Sequence, residues 1–160
     1  MTSIIVNGKK YMVSPEHMSM TLLSYLRDIL DLTGTKCGCS AGVCGTCKVL
    51  IDGKAENSCL VKMSKIDGNH VTTIEGIGTP DKLDPIQKAF IECGAIQCGF
   101  CTPGMIIVTK ELLDRNSDPD EETIKKALDK NLCRCTGYVK IIEAVRCAAR
   151  LRREEVCGRV

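Results

Sequence analysis

Three cysteines, Cys39, Cys44 and Cys47, stand with four and then two residues between them, and Cys59 follows after eleven more. No other feature limits this chain so strongly. They belong to a set of twelve cysteines in 160 residues. In a secreted chain so many would form a disulfide framework. The N-terminus, Met1-Thr2-Ser3-Ile4-Ile5-Val6, lacks the basic start, apolar run and small-residue cleavage site of an export signal. No stretch approaches the length of a membrane-spanning helix. The expected compartment is therefore cytoplasmic, where thiols stay reduced and metal ligation becomes the default reading.

The x4–x2 spacing with one distant cysteine is the plant-type ferredoxin arrangement for a [2Fe–2S] centre. Such a core with four thiolates carries negative charge, and the loop must wrap it closely enough for backbone N–H groups to point at sulfur. Gly38, Gly42 and Gly45, interleaved with the ligands, permit that approach. Structural zinc is the rival, but it favours paired Cys-x2-Cys knuckles, and this segment has only one. Cys37 offers an alternative thiol; the template selects Cys39 and leaves Cys37 a bystander.

A second group lies further on. Cys98 and Cys101 lead into a helix start at Thr102-Pro103, and Cys133 and Cys135 follow far downstream. A helix N-terminus favours thiolate and cluster charge. By spacing alone this quartet stays open between zinc, [2Fe–2S] and a redox dithiol. Cys93, Cys147 and Cys157 have no partner at ligand spacing: the first two read as small buried apolar residues in helices, the last as part of a frayed tail.

Around these groups the texture of the chain changes once. Ile4–Val6 and Tyr11–Val13 flank Asn7-Gly8, a hairpin signal because both turn positions need positive φ. Ser19 is the expected cap of a helix carrying Leu22, Leu23, Leu26, Ile29 and Leu30, with Gly34 ending it. Lys48–Ile51, closing at Asp52-Gly53, and His70–Ile74 read as strands. Gly76-Ile77-Gly78-Thr79-Pro80 has linker composition. Beyond it, Asp84-Pro85, Thr102-Pro103 and Asp118-Pro119 each pair a capping residue with a first-turn proline, Glu121 completing a capping box at the third. Met105, Ile106, Thr109, Leu112 and Leu113 form one apolar stripe. Ile141, Ile142, Val145 and Ala149 form another, on a fourth helix expected over Ile141–Arg153 with arginines at its negative pole.

Composition excludes several functions. A charged share of 26% beside 44% apolar residues is that of a globular chain, long enough for one ordinary domain or two small ones. A net charge of +2, with two Phe, three Tyr and no Trp, offers neither a basic field nor a stacking platform for nucleic acid. His17 and His70 are isolated, and Asp114, Asp118, Asp120, Glu121 and Glu122 surround a helix start as caps and solvated surface. No residue reads as an acid, base or nucleophile at a substrate site.

Four strings together carry a resemblance: Lys36-Cys37-Gly38-Cys39-Ser40-Ala41-Gly42-Val43-Cys44-Gly45-Thr46-Cys47; Ser58-Cys59; Gln97-Cys98-Gly99-Phe100-Cys101-Thr102-Pro103-Gly104-Met105; and Asn131-Leu132-Cys133-Arg134-Cys135-Thr136-Gly137-Tyr138. In this order, and across nearly the whole chain, they resemble the iron–sulfur subunit of the molybdenum hydroxylases, the xanthine dehydrogenase and aldehyde oxidoreductase family. Thr46 and Cys37 depart from the residues usual there. The resemblance implies an α+β chain: an N-terminal plant-type ferredoxin β-grasp domain, residues 1–77, followed by a C-terminal four-helix-bundle [2Fe–2S] domain, residues 78–160. It implies metal ligation by Cys39, Cys44, Cys47 and Cys59 in the first, and by Cys98, Cys101, Cys133 and Cys135 in the second. Gln97 and Cys135 are the positions implied to lie against a molybdopterin. The implied role is an electron relay from a molybdopterin-binding catalytic subunit to an FAD-binding subunit, in a hetero-oligomer of three kinds of chain. Family frequency leans the substrate of such a complex toward xanthine or another N-heterocycle.

Overall fold

A computed structural model describes residues 2–157, with side chains through Glu155. Met1 and residues 158–160, the outer ends of the two expected domains, lie outside the described residues, as does the side chain of Cys157.

The chain begins with the expected hairpin. Strands β1 (Thr2–Val6) and β2 (Lys9–Val13) pair antiparallel around Asn7 and Gly8, whose φ values are 50° and 81°. A short helix α1 (Leu22–Ser24) widens into a π-helical turn over Tyr25–Ile29. Strands β3 (Lys48–Ile51), β4 (Lys54–Asn57) and β5 (His70–Thr72) complete a five-stranded sheet of order β2-β1-β5-β3-β4. The β1–β5 pairing is parallel and the others antiparallel, so the helix crosses one face of a mixed sheet. Leu22, Tyr25 and Leu26 bury against Ile4, Val6, Val49 and Val71, which alternate inward from their strands. This is the expected β-grasp.

The helical half follows. Helices α2 (Pro85–Glu92), α3 (Thr102–Arg115), α4 (Glu121–Leu128) and α5 (Val139–Cys157) pack around Phe90, Met105, Ile124, Ile141 and Val145, all fully buried. The four expected helices are all present. Ile77, in the segment read as a linker, and Ile74, at the end of the preceding expected strand, pack against this second core. Among the described residues no helix is long and apolar enough to cross a membrane.

Several local expectations give way to tertiary contacts. Thr21, not Ser19, caps α1, its hydroxyl accepting from Ser24 N–H at 3.1 Å. That helical segment ends at Leu30, where Asp31 turns left-handed at φ 55°. Gly34 serves a different end: its N–H donates to Glu75 Oε1 at 2.8 Å, and a Cβ there would lie 2.4 Å from Ile74 Cγ2. The strand expected to reach Ile74 stops at Thr72, because the Asn7 carboxamide takes the Thr73 N–H at 2.9 Å.

Helix starts shift for similar reasons. Asp84 and Gln87 form a full capping box at α2. Thr102 is already helical, with Cys101 as N-cap. Asp120, rather than Asp118, caps α4 by accepting from Thr123 N–H at 2.8 Å, while Asp118 pairs with Arg153 of α5 at 2.6 Å. β4 carries no strand signal in the sequence because Lys54-Ala55-Glu56-Asn57 has no apolar alternation. It is an edge strand kept polar, as exposed sheet edges commonly are.

Candidate metal centres

The first quartet sits where the loop after α1 returns to the sheet. Cys47 immediately precedes β3 and Cys59 follows β4, so the antiparallel β3–β4 pairing brings them side by side. Both are buried, at 3% and 8% exposure. Ser58 locks the join, its hydroxyl and N–H both donating to Cys47 C=O, at 2.7 and 3.2 Å. Cys39 and Cys44 arrive from the intervening loop, which coils through left-handed residues Ser40, Gly42 and Gly45.

Backbone N–H groups aim at sulfur throughout this loop. Ala41 and Cys44 donate to Cys39 Sγ at 3.3 and 3.4 Å. The N–H groups of Cys44, Ala41 and Val43 lower the Cys39 thiol pKa to about 6. Burial and then the neighbouring Cys47 push Cys59 up to about 11. Such a cradle suits an anionic core. Close wrapping is enforced sterically: a Cβ on Gly38 would stand 2.7 Å from Thr46 Oγ1 and 2.9 Å from Cys44 Sγ, and one on Gly42 would stand 2.4 Å from Leu60 Cδ1. The unusual Thr46 is buried, its hydroxyl 3.2 Å from Cys44 Sγ. Cys37 is exposed and directed to Ser40 Oγ at 3.1 Å.

The second quartet joins the α3 N-terminus to the α4–α5 connection. Cys98 and Cys135 approach each other at 3.5 Å between sulfurs, both exposed. Cys101 lies behind them, 8% exposed, where burial and then Cys133 push its thiol up to about 12. Burial also raises Cys133, but the Thr136 hydroxyl at 3.1 Å and N–H at 3.5 Å outweigh it and bring that thiol below its ordinary value. Tyr138, at φ 68°, folds back: its hydroxyl accepts from Cys133 N–H at 2.9 Å and donates to Asn131 C=O at 3.2 Å. Gln97 is exposed beside Cys98.

The first four sequence-selected cysteines thus share the loop and the β3–β4 join, and the second four share the α3 N-terminus and the α4–α5 connection. Among the described residues, no cluster of three or more His, Cys, Asp or Glu side chains closes on a single metal ion. The donor chemistry, glycine cradle and inward N–H groups fit a wider, anionic sulfur-bridged core in the first centre. Paired cysteines at a helix N-terminus fit one in the second.

The two centres touch through backbone. Leu132 N–H donates to Cys44 C=O at 2.9 Å, joining the residue before Cys133 to a cysteine of the first quartet. Beside it, Asn131 Nδ2 donates to Gly45 C=O at 3.3 Å. Gly104 of α3 packs so tightly here that a Cβ would fall 2.7 Å from Gly45 O. Sequence periodicity gave no sign of this contact, although Gly104 and Asn131 both lie in the motif strings.

Comparison with known proteins agrees with this geometry. Residues 4–72 match the 2Fe-2S iron-sulfur cluster binding domain family, and residues 73–146 match the [2Fe-2S] binding domain family. The chain is 45% identical to one of the nicotinate dehydrogenase subunits of Pseudomonas putida, over 95% of its own length and 96% of that protein's. It belongs to the iron–sulfur subunit family of the molybdenum hydroxylases.

Other family members divide into separate chains and segments of longer ones. One of the subunits of a probable xanthine dehydrogenase of Bacillus subtilis is 46% identical, with 96% of this chain and 86% of that one covered. The solved quinoline 2-oxidoreductase of Pseudomonas putida 86 superposes with a TM-score of 0.88 at 39% identity, covering 96% of this chain and 95% of that one. The aldehyde oxidoreductase of Desulfovibrio desulfuricans superposes with a TM-score of 0.91 at 46% identity, but this chain spans only 17% of it. It likewise spans 14% of the Megalodesulfovibrio gigas aldehyde oxidoreductase, at 49% identity.

Proposed function

We propose that this chain is the electron-transfer subunit of a molybdenum hydroxylase, relaying electrons from a molybdopterin-bearing catalytic chain to an FAD-bearing chain, without converting substrate itself. A [2Fe–2S] core supplies one-electron storage, which couples two-electron chemistry at either end of such a relay. Cys39, Cys44, Cys47 and Cys59 hold one core, and Cys98, Cys101, Cys133 and Cys135 the other, in domains we take as residues 1–77 and 78–160. The observation that carries this reading is the 2.9 Å hydrogen bond from Leu132 N–H to Cys44 C=O. It makes a short covalent and hydrogen-bonded bridge between the two quartets, which two independent structural metal sites would not need.

The exposure of particular residues supports a direction for the relay. Cys98, Cys135 and the adjacent Gln97 are exposed, which suits a contact with a molybdopterin. Exposed Ile96, next to Gln97, adds apolar surface on that side, whereas Phe100 and Leu132 lie toward the first loop, against Gly38 and Cys44. Around the first quartet, exposed Val43 and Leu60 add apolar surface for the flavin-bearing side. Buried Cys47, Cys59 and Cys101 anchor each core to its domain.

The separate-chain relatives also support a substrate class. Those that this chain covers almost end to end are named for nicotinate, xanthine and quinoline, whereas the aldehyde oxidoreductases contain it as a small segment. We therefore assign the complex to hydroxylation of an N-heterocycle, in the cytoplasm and as a hetero-oligomer of three kinds of chain. Affinity purification of the chain with its natural partners tests all of this. The reading expects iron and acid-labile sulfide equivalent to two clusters per chain, and dye reduction with N-heterocycles rather than aldehydes. A colourless preparation, or a single cluster per chain, defeats it.

A further inference from the structure

Cys93 and Cys147 take no part in either quartet, and by sequence they read as separate buried apolar residues. The fold brings them together. Cys93 caps the C-terminus of α2, Cys147 lies on α5, and both are half-buried. They line one shallow groove of about 310 Å³ with Glu143, Arg146 and Arg150. Arg150 Nη2 donates to Cys147 Sγ at 3.7 Å. Arg146 pairs with Glu121 of α4 at 2.9 Å, and Arg150 pairs with Glu154 through Nε at 3.9 Å, which leaves the Arg150 Nη2 on the Cys147 sulfur.

From this placement we propose that Cys93 and Cys147 form a redox-modifiable dithiol, converted to a disulfide that staples α2 to α5 by anionic low-molecular-weight disulfides of the glutathione type. Arg150, whose Nη2 reaches Cys147 Sγ, places one positive charge beside the attacking sulfur, where it can meet a carboxylate of such a reagent. Cys147 Sγ attacks one sulfur of the reagent, forming a mixed disulfide and releasing one reduced thiol. Cys93 then attacks Cys147 Sγ and releases the second. Two protein thiols are oxidised, one reagent disulfide is reduced to two thiols, and the two thiol protons pass to those leaving groups. The order follows from burial and the neighbouring Cys147, which together hold Cys93 above the ordinary thiol value and make it the slower nucleophile.

The experiment treats the purified holo-complex with glutathione disulfide, blocks remaining thiols with an alkylating agent, and maps peptides without reduction. The expected product is one peptide pair joined through Cys93 and Cys147, lighter by two hydrogens, with the visible cluster absorption unchanged. Cys93→Ser should instead trap glutathione on Cys147, and Cys147→Ser should leave Cys93 largely alkylated. The proposal is overturned if both thiols remain alkylated in the wild type. Linkage appearing only as the cluster absorption collapses overturns it too, since the thiols would then be reacting in damaged protein. Equal trapping of glutathione on Cys93 in the Cys147→Ser variant overturns the order of attack.

Discussion

Gly45→Ala should separate the two cluster loops, and the structure gives the size of the effect. Gly45 sits at φ 71°, and a Cβ there would lie 2.2 Å from Lys130 O, 2.6 Å from Asn131 Oδ1 and 2.9 Å from Asn131 Cα. Two of these are backbone atoms that cannot swing aside, so the 130–132 segment must retreat. Left-handed strain at a non-glycine residue costs roughly 1–2 kcal/mol. Retreat also loses the bonds from Leu132 N–H to Cys44 O and from Asn131 Nδ2 to Gly45 O, each contributing about 0.5–1.5 kcal/mol. Together the loss is about 2–5 kcal/mol, which for a chain of this size lowers the thermal midpoint by roughly 5–15 °C.

Gly53→Ala is the matched control. Its φ is 80°, and nothing lies within 4 Å of the added Cβ, so it bears the strain without the clash. Differential scanning calorimetry of both holo-variants, with iron content measured alongside, gives the comparison. A Gly45→Ala midpoint no lower than that of Gly53→Ala would refute the claim that this glycine exists for the contact between loops.

Three further outcomes follow from named contacts. Cys135→Ser should cost one of the two clusters and abolish substrate-dependent dye reduction, whereas Cys37→Ser should keep both, as measured by iron and sulfide content; equal losses would reassign the first ligand. Tyr138→Phe removes the acceptor for Cys133 N–H and the donor to Asn131 C=O, and should lower the thermal midpoint by an amount corresponding to about 1–3 kcal/mol. Burial raises Asp114, but Lys110 and Arg152 outweigh it and hold its carboxylate below the ordinary 3.8. A depressed folded-state value means the stabilisation is present above the ordinary value and lost as pH falls through the folded one. Asp114→Asn should therefore flatten the acid side of the stability profile below about pH 4, read by thermal melts across pH; an unchanged profile would dismiss the α3–α5 clamp.

What the sequence determined by itself is whatever depends on neighbours along the chain. The x4–x2 spacing selects Cys39, Cys44 and Cys47 because a single tight loop must supply three sulfurs. Asn7-Gly8 sets its hairpin because both residues accept positive φ. Asp84-Pro85 sets the α2 start because a capping residue and a first-turn proline act within a single turn. Where a residue had a distant alternative, local rules failed. Asp118 was drawn off by Arg153, Gly34 by Glu75, and the end of β5 by the Asn7 side chain.

Tertiary structure alone decided how the parts meet. The Leu132–Cys44 bridge, the close packing of Gly104 on Gly45 and the pairing of Cys93 with Cys147 join residues that share no periodicity and no motif spacing. The first two contacts depend on the docking of two separately formed cores, and the third on the packing of α2 against α5 within one of them. The contacts between the cores draw on backbone hydrogen bonds and steric fit rather than on any pattern of residue type, which is why the sequence could single out the two cysteine groups and not the path between them.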